Sequence, residues 1–155
     1  MVLGSLGWVG FAPFLRGTAG TFVTALLAYA AKDVLNQALY GWWLAAGIAA
    51  LASLGVARWA IASGHARGDP SWFVLDESAG YLSLLALLGR PELSEFCLAF
   101  VAFRIYDMAK PWPVSTFEGL PGGIGILADD LAAALMGAWT IGCISWFVKL
   151  GFFQA

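Results

Sequence analysis

The chain has 155 residues, of which 61% are hydrophobic and 12% are charged, with a mean hydropathy of +0.80. Soluble domains carry about 25% charged residues, so this composition predicts one compact helical membrane domain over residues 1–155. The net charge of −2 and the lack of a basic run argue against nucleic-acid binding. Cys97 and Cys143 lie in apolar runs and are expected to be buried thiols.

The apolar segments predict an all-α fold with about four to five hydrophobic helices. Residues 1–16 are apolar but interrupted by glycines and a proline, which favours an interfacial or re-entrant segment over a cleaved signal peptide. Residues 17–31 predict a first helix, closed by Lys32 and Asp33. Residues 38–63 predict the longest helix, which is long enough to cross a hydrocarbon core of about 30 Å.

A helical hairpin is predicted at about residues 76–109. Its arms are residues 76–89 and 92–109, and the Gly89-Arg90-Pro91 segment between them is typical of a tight turn. Each arm is marginal in length for crossing a bilayer, so the hairpin either spans the membrane or dips into it.

A loop rich in proline and glycine is predicted over residues 110–129, between the hairpin and the last helix. Pro111 ends the preceding helix because proline lacks the amide donor that a helix needs. Residues 130–148 predict a final helix of spanning length, and Asp129 or Asp130 suits its N-cap.

Half of the ten acidic residues lie in three short motifs at the ends of these helices. The motifs FVLDESAG, FRIYDMAKPWP and GGIGILADD contain the acids Asp76, Glu77, Asp107, Asp129 and Asp130. Acids close to a bilayer are energetically unfavourable and usually functional. An up-and-down helical path brings the three motifs to one side of the membrane, where the carboxylates can meet. Because carboxylate oxygens are ligands that divalent cations prefer, the pattern predicts a cation site.

The basic residues give a weak indication of the side on which the acids lie. Five basic residues fall on or near the acidic side and three fall opposite, which by the positive-inside bias places the acids in the cytoplasm. The five are Arg16, Arg58, Arg67, Arg104 and Lys110, and the three are Lys32, Arg90 and Lys149.

Each motif also has a purely structural interpretation. The acids of the first and third motifs could only complement a helix dipole or cap a helix. Asp107 is three residues from both Arg104 and Lys110, so these side chains could form surface ion pairs. In the functional interpretation Asp107 binds the metal, and Arg104 or Lys110 binds an anionic group of the substrate. Gly80, one turn into the first motif, is expected to let a neighbouring backbone approach closely.

A glycine-rich turn follows Arg16 and opens the first helix. The exposed amides of Gly17, Thr18 and Gly20 suit a phosphate group, although small residues there also serve helix packing. His65, the single histidine, lies in a polar loop with no motif around it, which argues against a serine, cysteine or phosphohistidine mechanism. Clustered carboxylates with one or two basic residues, and no P-loop pattern, favour Mg²⁺, a phosphate and an activated water.

Four segments resemble the phosphatidylglycerophosphatase A family in sequence, order and spacing. They are GTAGT at 17–21, DPSWFVLDESAG at 69–80, FRIYDMAKPWPV at 103–114 and GGIGILADDLAAALMGA at 122–138. The resemblance implies a Mg²⁺-dependent phosphoric monoester hydrolase of phospholipid biosynthesis. It implies hydrolysis of the terminal phosphate of phosphatidylglycerophosphate, giving phosphatidylglycerol and inorganic phosphate, at the bacterial inner (cytoplasmic) membrane in a multi-pass protein.

The resemblance also implies roles for individual residues. It assigns the carboxylates to catalysis and metal binding, namely Asp76, Glu77, Asp107, Asp129 and Asp130. It assigns the substrate phosphate to Arg104, Lys110, Gly17, Thr18 and Gly20. The chain departs from the family where Arg16 replaces a frequent proline and Thr21 a frequent serine, and neither departure removes a carboxylate.

Three alternatives remain open from sequence. A CDP-alcohol phosphotransferase also uses membrane carboxylates, but its DGxxAR pattern is absent. A non-catalytic divalent-cation-binding membrane protein or carrier would use the same acids without releasing phosphate. A phosphatase for another lipid phosphate is the third possibility, because the sequence has no headgroup pattern that excludes it. The sequence does not indicate an oligomeric state, the number of metal ions or the carboxylate that acts as base.

Overall fold

The computed structural model describes residues 16–63, 74–117, 120 and 123–149. These residues form seven helices and no strand, which confirms the all-α class. The helices are α1 (Arg16–Ala30), α2 (Lys32–Gln37), α3 (Gly41–Ala62), α4 (Leu75–Leu88), α5 (Leu93–Ala109), α6 (Val114–Phe117) and α7 (Gly123–Lys149). The expected lead-in before residue 16 and the polar loop with His65 and Arg67 lie outside the described residues.

The α4–α5 hairpin lies where the sequence predicts it. Gly89 follows α4 with a φ of +88°, a left-handed conformation that glycine adopts without steric strain. Glu92 and Glu95 form a capping box at the start of α5, in which the Glu92 amide donates to Glu95 Oε2 over 2.8 Å. The Tyr81 hydroxyl donates to the carbonyl of Phe96 over 3.1 Å and ties the two arms together.

The predicted end of the first helix agrees with α1, which ends at Ala30, although Lys32 and Asp33 then open α2 after a break at Ala31. Two other expectations about helix boundaries are wrong. The predicted loop over residues 110–129 contains α6 and the first turns of α7. Because α7 begins at Gly123, Asp129 and Asp130 lie in its second turn and are not N-caps.

Close packing explains why α7 begins within a glycine-rich segment. A Cβ atom at Gly125 would lie 2.1 Å from the carbonyl oxygen of Leu120, so only glycine fits there. The glycines of this segment therefore allow the preceding turn to pack against the helix. From the sequence, they were expected to keep this segment outside the helix.

Helix α4 is the centre of the bundle and packs against α1, α3, α5 and α7. Its side chains Tyr81, Leu84 and Leu85 are fully buried. Gly137 of α7 faces Leu84, and a Cβ atom there would lie 2.7 Å from Leu84 Cδ1. Small residues of this kind let helices approach closely. The first turn of α4, which carries two of the acids, is therefore held at one end of the bundle.

Two helices, α3 and α7, are long and apolar enough to cross a membrane, so the predicted four to five hydrophobic helices are not confirmed. Of the most apolar stretch of each helix, only 22% in α3 and 28% in α7 is buried inside the bundle. Large apolar side chains such as Ile48, Leu51 and Trp139 are exposed instead. A soluble protein rarely leaves such faces in water, and this exposure is what a membrane protein presents to lipid.

Candidate functional site

The acidic motifs meet at one end of the bundle, where four helix ends come together. The N-terminal turns of α4 and α7 carry Asp76, Glu77, Asp129 and Asp130, and the last turns of α5 carry Asp107. Asp76, Asp129 and Asp130 are buried. The structure therefore brings together all five acids that the sequence singled out, although it does not by itself assign a role to them.

Arg104 lies at the centre of this cluster and joins two helices. Its Nη1 donates to Glu77 Oε1 over 3.2 Å and to Asp107 Oδ2 over 2.5 Å. The three side chains are only 12%, 16% and 13% exposed. The interpretation of Arg104 and Asp107 as a surface ion pair is therefore wrong, because the pair is buried and reaches α4 through Glu77.

Lys110 forms the second link between basic and acidic residues. Its Nζ donates to Asp129 Oδ2 over 2.7 Å, which ties the end of α5 to α7. Lys110 has a φ of +41°, and its amide donates to the carbonyl of Tyr106 as α5 ends. This left-handed residue turns the chain away from the helix before Pro111, so the proline and the lysine position the ammonium group together.

Asp130 lies deeper and faces other acids. Its carboxyl is within hydrogen-bonding reach of Asp107, and among the other acids Asp76 repels it most strongly. A Cβ atom at Gly80 would lie 2.7 Å from the ring of Phe103 and 3.0 Å from Asp130 Cβ. Gly80 therefore permits a close approach, as predicted, but the neighbours are side chains where a backbone was expected.

The cluster holds an excess of negative charge. Among its described side chains five acids face two bases, Arg104 and Lys110. Burial raises the pKa of the Asp107 carboxyl above its ordinary value, against the opposing effects of Arg104 and the hydrogen bond with Asp130. Buried like charges of this kind need a proton or a cation for compensation.

The carboxylates suit a hard cation by their chemistry. In the described part of the chain, however, no three acidic, cysteine or histidine side chains form a ready-made metal-binding group. Three of the acids, Glu77, Asp107 and Asp129, instead form ion pairs with Arg104 and Lys110. Mg²⁺ commonly binds one or two carboxylates and completes its shell with waters and substrate phosphate, so the donor set fits Mg²⁺ without such a group.

The glycine-rich turn of α1 reaches the same site. A Cβ atom at Gly17 would lie 1.8 Å from Glu77 Oε1, so this carboxylate rests against the first turn of α1. Thr18 lines an open cavity together with Arg104. Gly20 lies further along and packs against Val74. The structure thus places Gly17 and Thr18 at the acidic cluster, and Gly20 in the helix contact beside it.

Sequence reasoning missed the polar contact that fixes α1 to α4. Thr24 Oγ1 and Ser78 Oγ are 2.8 Å apart and buried, and each hydroxyl also bonds a carbonyl on its own helix. Ser78 lies within the DESAG motif, directly after the acids Asp76 and Glu77. The sequence signal for its contact was a serine on an otherwise apolar helix face, one turn after Val74.

Comparison with known proteins identifies the family. The profile of the family described as Phosphatidylglycerophosphatase A matches residues 2–145. A Bacteroides thetaiotaomicron protein named "Putative phosphatidylinositol-3-phosphatase" is 31% identical over 143 residues, which cover 90% of this chain and 89% of that protein.

Two further relatives match over a shorter length. Phosphatidylglycerophosphatase A of Escherichia coli is 34% identical over 91 residues, which cover 52% of this chain and 51% of that protein. Phosphatidylglycerophosphatase A of Haemophilus influenzae is 32% identical over 85 residues, which cover 54% of this chain and 50% of that protein. No solved structure matches the chain.

These findings define the class as a phosphatase that acts on a phosphate monoester. The chain belongs to the phosphatidylglycerophosphatase A family, since the family profile covers nearly its whole length. The alternative of a non-catalytic cation-binding protein or carrier is therefore not retained.

Proposed function

We propose that the protein hydrolyses the terminal phosphate of phosphatidylglycerophosphate, with Mg²⁺, to give phosphatidylglycerol and inorganic phosphate. The observation that carries the proposal is the buried cluster of five acids, Arg104 and Lys110 at the end of an apolar bundle. A charged site at such an end lies where a phospholipid presents its headgroup. Family membership supports this choice, and the relatives from Escherichia coli and Haemophilus influenzae carry that activity in their names.

Phosphatidylinositol-3-phosphate is the second candidate substrate, because the Bacteroides relative carries that activity in its name. Both lipids present a phosphomonoester to the same basic groups. Phosphatidylglycerophosphate is favoured because the family profile bears its name over residues 2–145.

Mg²⁺ would be held by the carboxylates of the cluster, with Asp76 and Asp130 as its principal ligands. These two acids are buried and would repel each other when ionised, so a bound cation would offset their negative charge. Glu77, Asp107 and Asp129 would complete the acidic surroundings. When bound, Mg²⁺ would neutralise charge on the phosphoryl oxygens and lower the pKa of a water molecule.

Arg104 and Lys110 would bind the phosphate by replacing contacts with the acids by contacts with phosphate oxygens. Arg104 Nε is buried and has no acceptor among the described residues, so it is a donor available to a phosphate oxygen. Lys110 is only half-buried and can turn from Asp129 toward substrate. The amides at Gly17 and Thr18 lie beside Glu77 and would add donors at a helix start.

Hydrolysis then needs one water and one proton acceptor. A carboxylate of the cluster takes a proton from water as its oxygen bonds to phosphorus. The ester P–O bond breaks, and the departing alkoxide of the lipid receives a proton to become the hydroxyl of phosphatidylglycerol. An aspartyl-phosphate route is the competing mechanism. Trapping of phosphate on the protein during turnover would support that route and contradict direct attack by water.

The protein would lie in the bacterial inner membrane as a multi-pass protein with this site facing the cytoplasm. The two long apolar helices and their exposed faces support membrane insertion. The excess of basic residues near the acidic end supports the cytoplasmic orientation.

The metal proposal is tested by the unfolding temperature in detergent, with Mg²⁺ or with a chelator. Binding to the folded state raises stability, so we expect Mg²⁺ to raise the unfolding temperature of the native chain but not of Asp76→Asn or Asp130→Asn. Asp33→Asn is the matched control, because Asp33 is 81% exposed and belongs to α2. An equal Mg²⁺ effect in all three variants would contradict the proposed ligands.

A further inference from the structure

Two adjoining cavities lie along α1 and α5, beside the candidate active site. One has a volume of about 640 Å³ and includes Thr18 and Arg104 in its lining. The other, of about 290 Å³, extends toward the start of α5 at Leu93. Phe100 and Val101 line both cavities. The two therefore form one continuous depression, here named the α1–α5 groove, that begins at the charged cluster.

The α1–α5 groove is apolar along its length and basic at one end. Helix α1 supplies Phe22 and Leu26, while α5 supplies Phe96, Phe100 and Val101. Phe22, Leu26 and Val101 are each more than half exposed, so their apolar surface is open to another molecule. Arg104 is the charged residue of the lining, and its Nη1 contacts Glu77 and Asp107. This combination matches a molecule with an anionic head and an apolar tail.

The groove is long enough to hold part of a lipid chain as well as the headgroup. On α5 its lining runs from Leu93 to Ala109 and includes Arg104. At about 1.5 Å per residue, the helix between Arg104 and Leu93 is roughly 16 Å long. A glycerol, a phosphodiester and a second glycerol separate the terminal phosphate of phosphatidylglycerophosphate from its acyl chains. A lipid whose terminal phosphate is at Arg104 would therefore place this linker and the first part of one acyl chain in the groove.

We propose that the α1–α5 groove holds one acyl chain of the phospholipid substrate while Arg104 binds its phosphomonoester. This inference rests on the proposed lipid phosphatase activity and adds a binding subsite to it. The groove would position the lipid so that its terminal phosphate lies at the carboxylates. Its exposed residues also explain an error of sequence reasoning, since Cys97 was expected to be buried but lines the groove and is exposed.

The first test fills the groove far from the charged site. Leu26→Trp and Cys97→Trp place a bulky ring in it, and Cys97 is about 10 Å along α5 from Arg104. Phosphate release is measured for dipalmitoyl phosphatidylglycerophosphate and for its deacylated headgroup, which has no acyl chain to place in the groove. The control is Leu51→Trp on α3, because Leu51 is 73% exposed and lines neither cavity.

We expect kcat/KM for the dipalmitoyl substrate to fall by at least about tenfold in both groove variants, which is a loss of about 1.4 kcal/mol in transition-state binding. The value for the deacylated headgroup should stay within about twofold, as should both values for the control. Equal losses on the two substrates, or no loss on either, would contradict the acyl-chain subsite.

A second test does not depend on turnover. Phosphatidic acid with a photoactivatable group near the ester end of one acyl chain is cross-linked to the native chain, and the labelled peptides are identified. Label concentrated near Leu26 and Cys97, and displaced by unlabelled phosphatidic acid, supports the groove even when phosphatidylglycerophosphate is not hydrolysed. Label spread evenly over α3, α5 and α7 contradicts the groove even when hydrolysis is observed.

Discussion

Replacement of Gly17 by alanine tests whether the acidic cluster depends on the first turn of α1. The new Cβ atom would lie 1.8 Å from Glu77 Oε1 and 2.6 Å from its Cδ. Ordinary contacts begin near 3.4 Å, so the carboxylate has to move by roughly 1.6 Å. That movement separates Glu77 from Arg104, which now lies 3.2 Å away.

The effect on activity should far exceed the effect on stability. Alanine stabilises a helix by about 0.5–1 kcal/mol relative to glycine, which offsets part of the weakened contact between Glu77 and Arg104. Arg104 keeps its second partner Asp107, so the net loss should be about 1 kcal/mol. We therefore expect the unfolding temperature to stay within about 2–4 °C of the native value. A displacement of about 1 Å in a catalytic site can lower the rate about 100-fold, so we expect phosphate release to fall at least about tenfold.

The assay is phosphate release from phosphatidylglycerophosphate in detergent micelles, paired with thermal unfolding of the same sample. Gly47→Ala is the matched control, because a Cβ atom there meets nothing within 4 Å and the residue lies in α3. Full activity in a folded Gly17→Ala protein would refute the reasoning. An equal fall in Gly47→Ala would show that the loss does not arise at the cluster.

Two further substitutions separate the site from the bundle. Arg104→Lys replaces a planar guanidinium that reaches two carboxylates with a single ammonium. Phosphate release should therefore fall at least about tenfold while the protein stays folded. Unchanged release would contradict the role of Arg104 in phosphate binding. Gly137→Val drives a side chain into a buried leucine of α4 and should lower the free energy of unfolding by about 1–3 kcal/mol, measured by denaturant titration. Gly142→Val, where a Cβ atom meets nothing within 4 Å, should show much less destabilisation, and equal losses would contradict the packing argument.

The hairpin was predictable because its signals are local. Gly89 and Pro91 mark a turn between two apolar runs, and the structure ends α4 and begins α5 around them. The convergence of the acids was also predictable, since an up-and-down path fixes which helix ends share a side. Both conclusions follow from the order of apolar and polar residues alone.

The features that sequence reasoning missed depend on contacts between distant segments. The early start of α7 follows from the Leu120 carbonyl beside Gly125, which composition does not reveal. The pairing of Arg104 with Glu77 joins residues 27 positions apart, whereas the local spacing showed only Asp107. The exposure of Cys97 follows from the groove between α1 and α5, because an apolar residue in a membrane protein can face lipid as well as the core.

The most direct test of the account is phosphate release by the purified native chain, measured on two lipids with Mg²⁺ and with a chelator. The lipids are phosphatidylglycerophosphate and phosphatidylinositol-3-phosphate. We expect release from phosphatidylglycerophosphate that requires Mg²⁺ and exceeds release from the second lipid by at least about tenfold in kcat/KM. Preference for phosphatidylinositol-3-phosphate would contradict the proposed substrate, and full activity in the presence of the chelator would contradict the proposed metal.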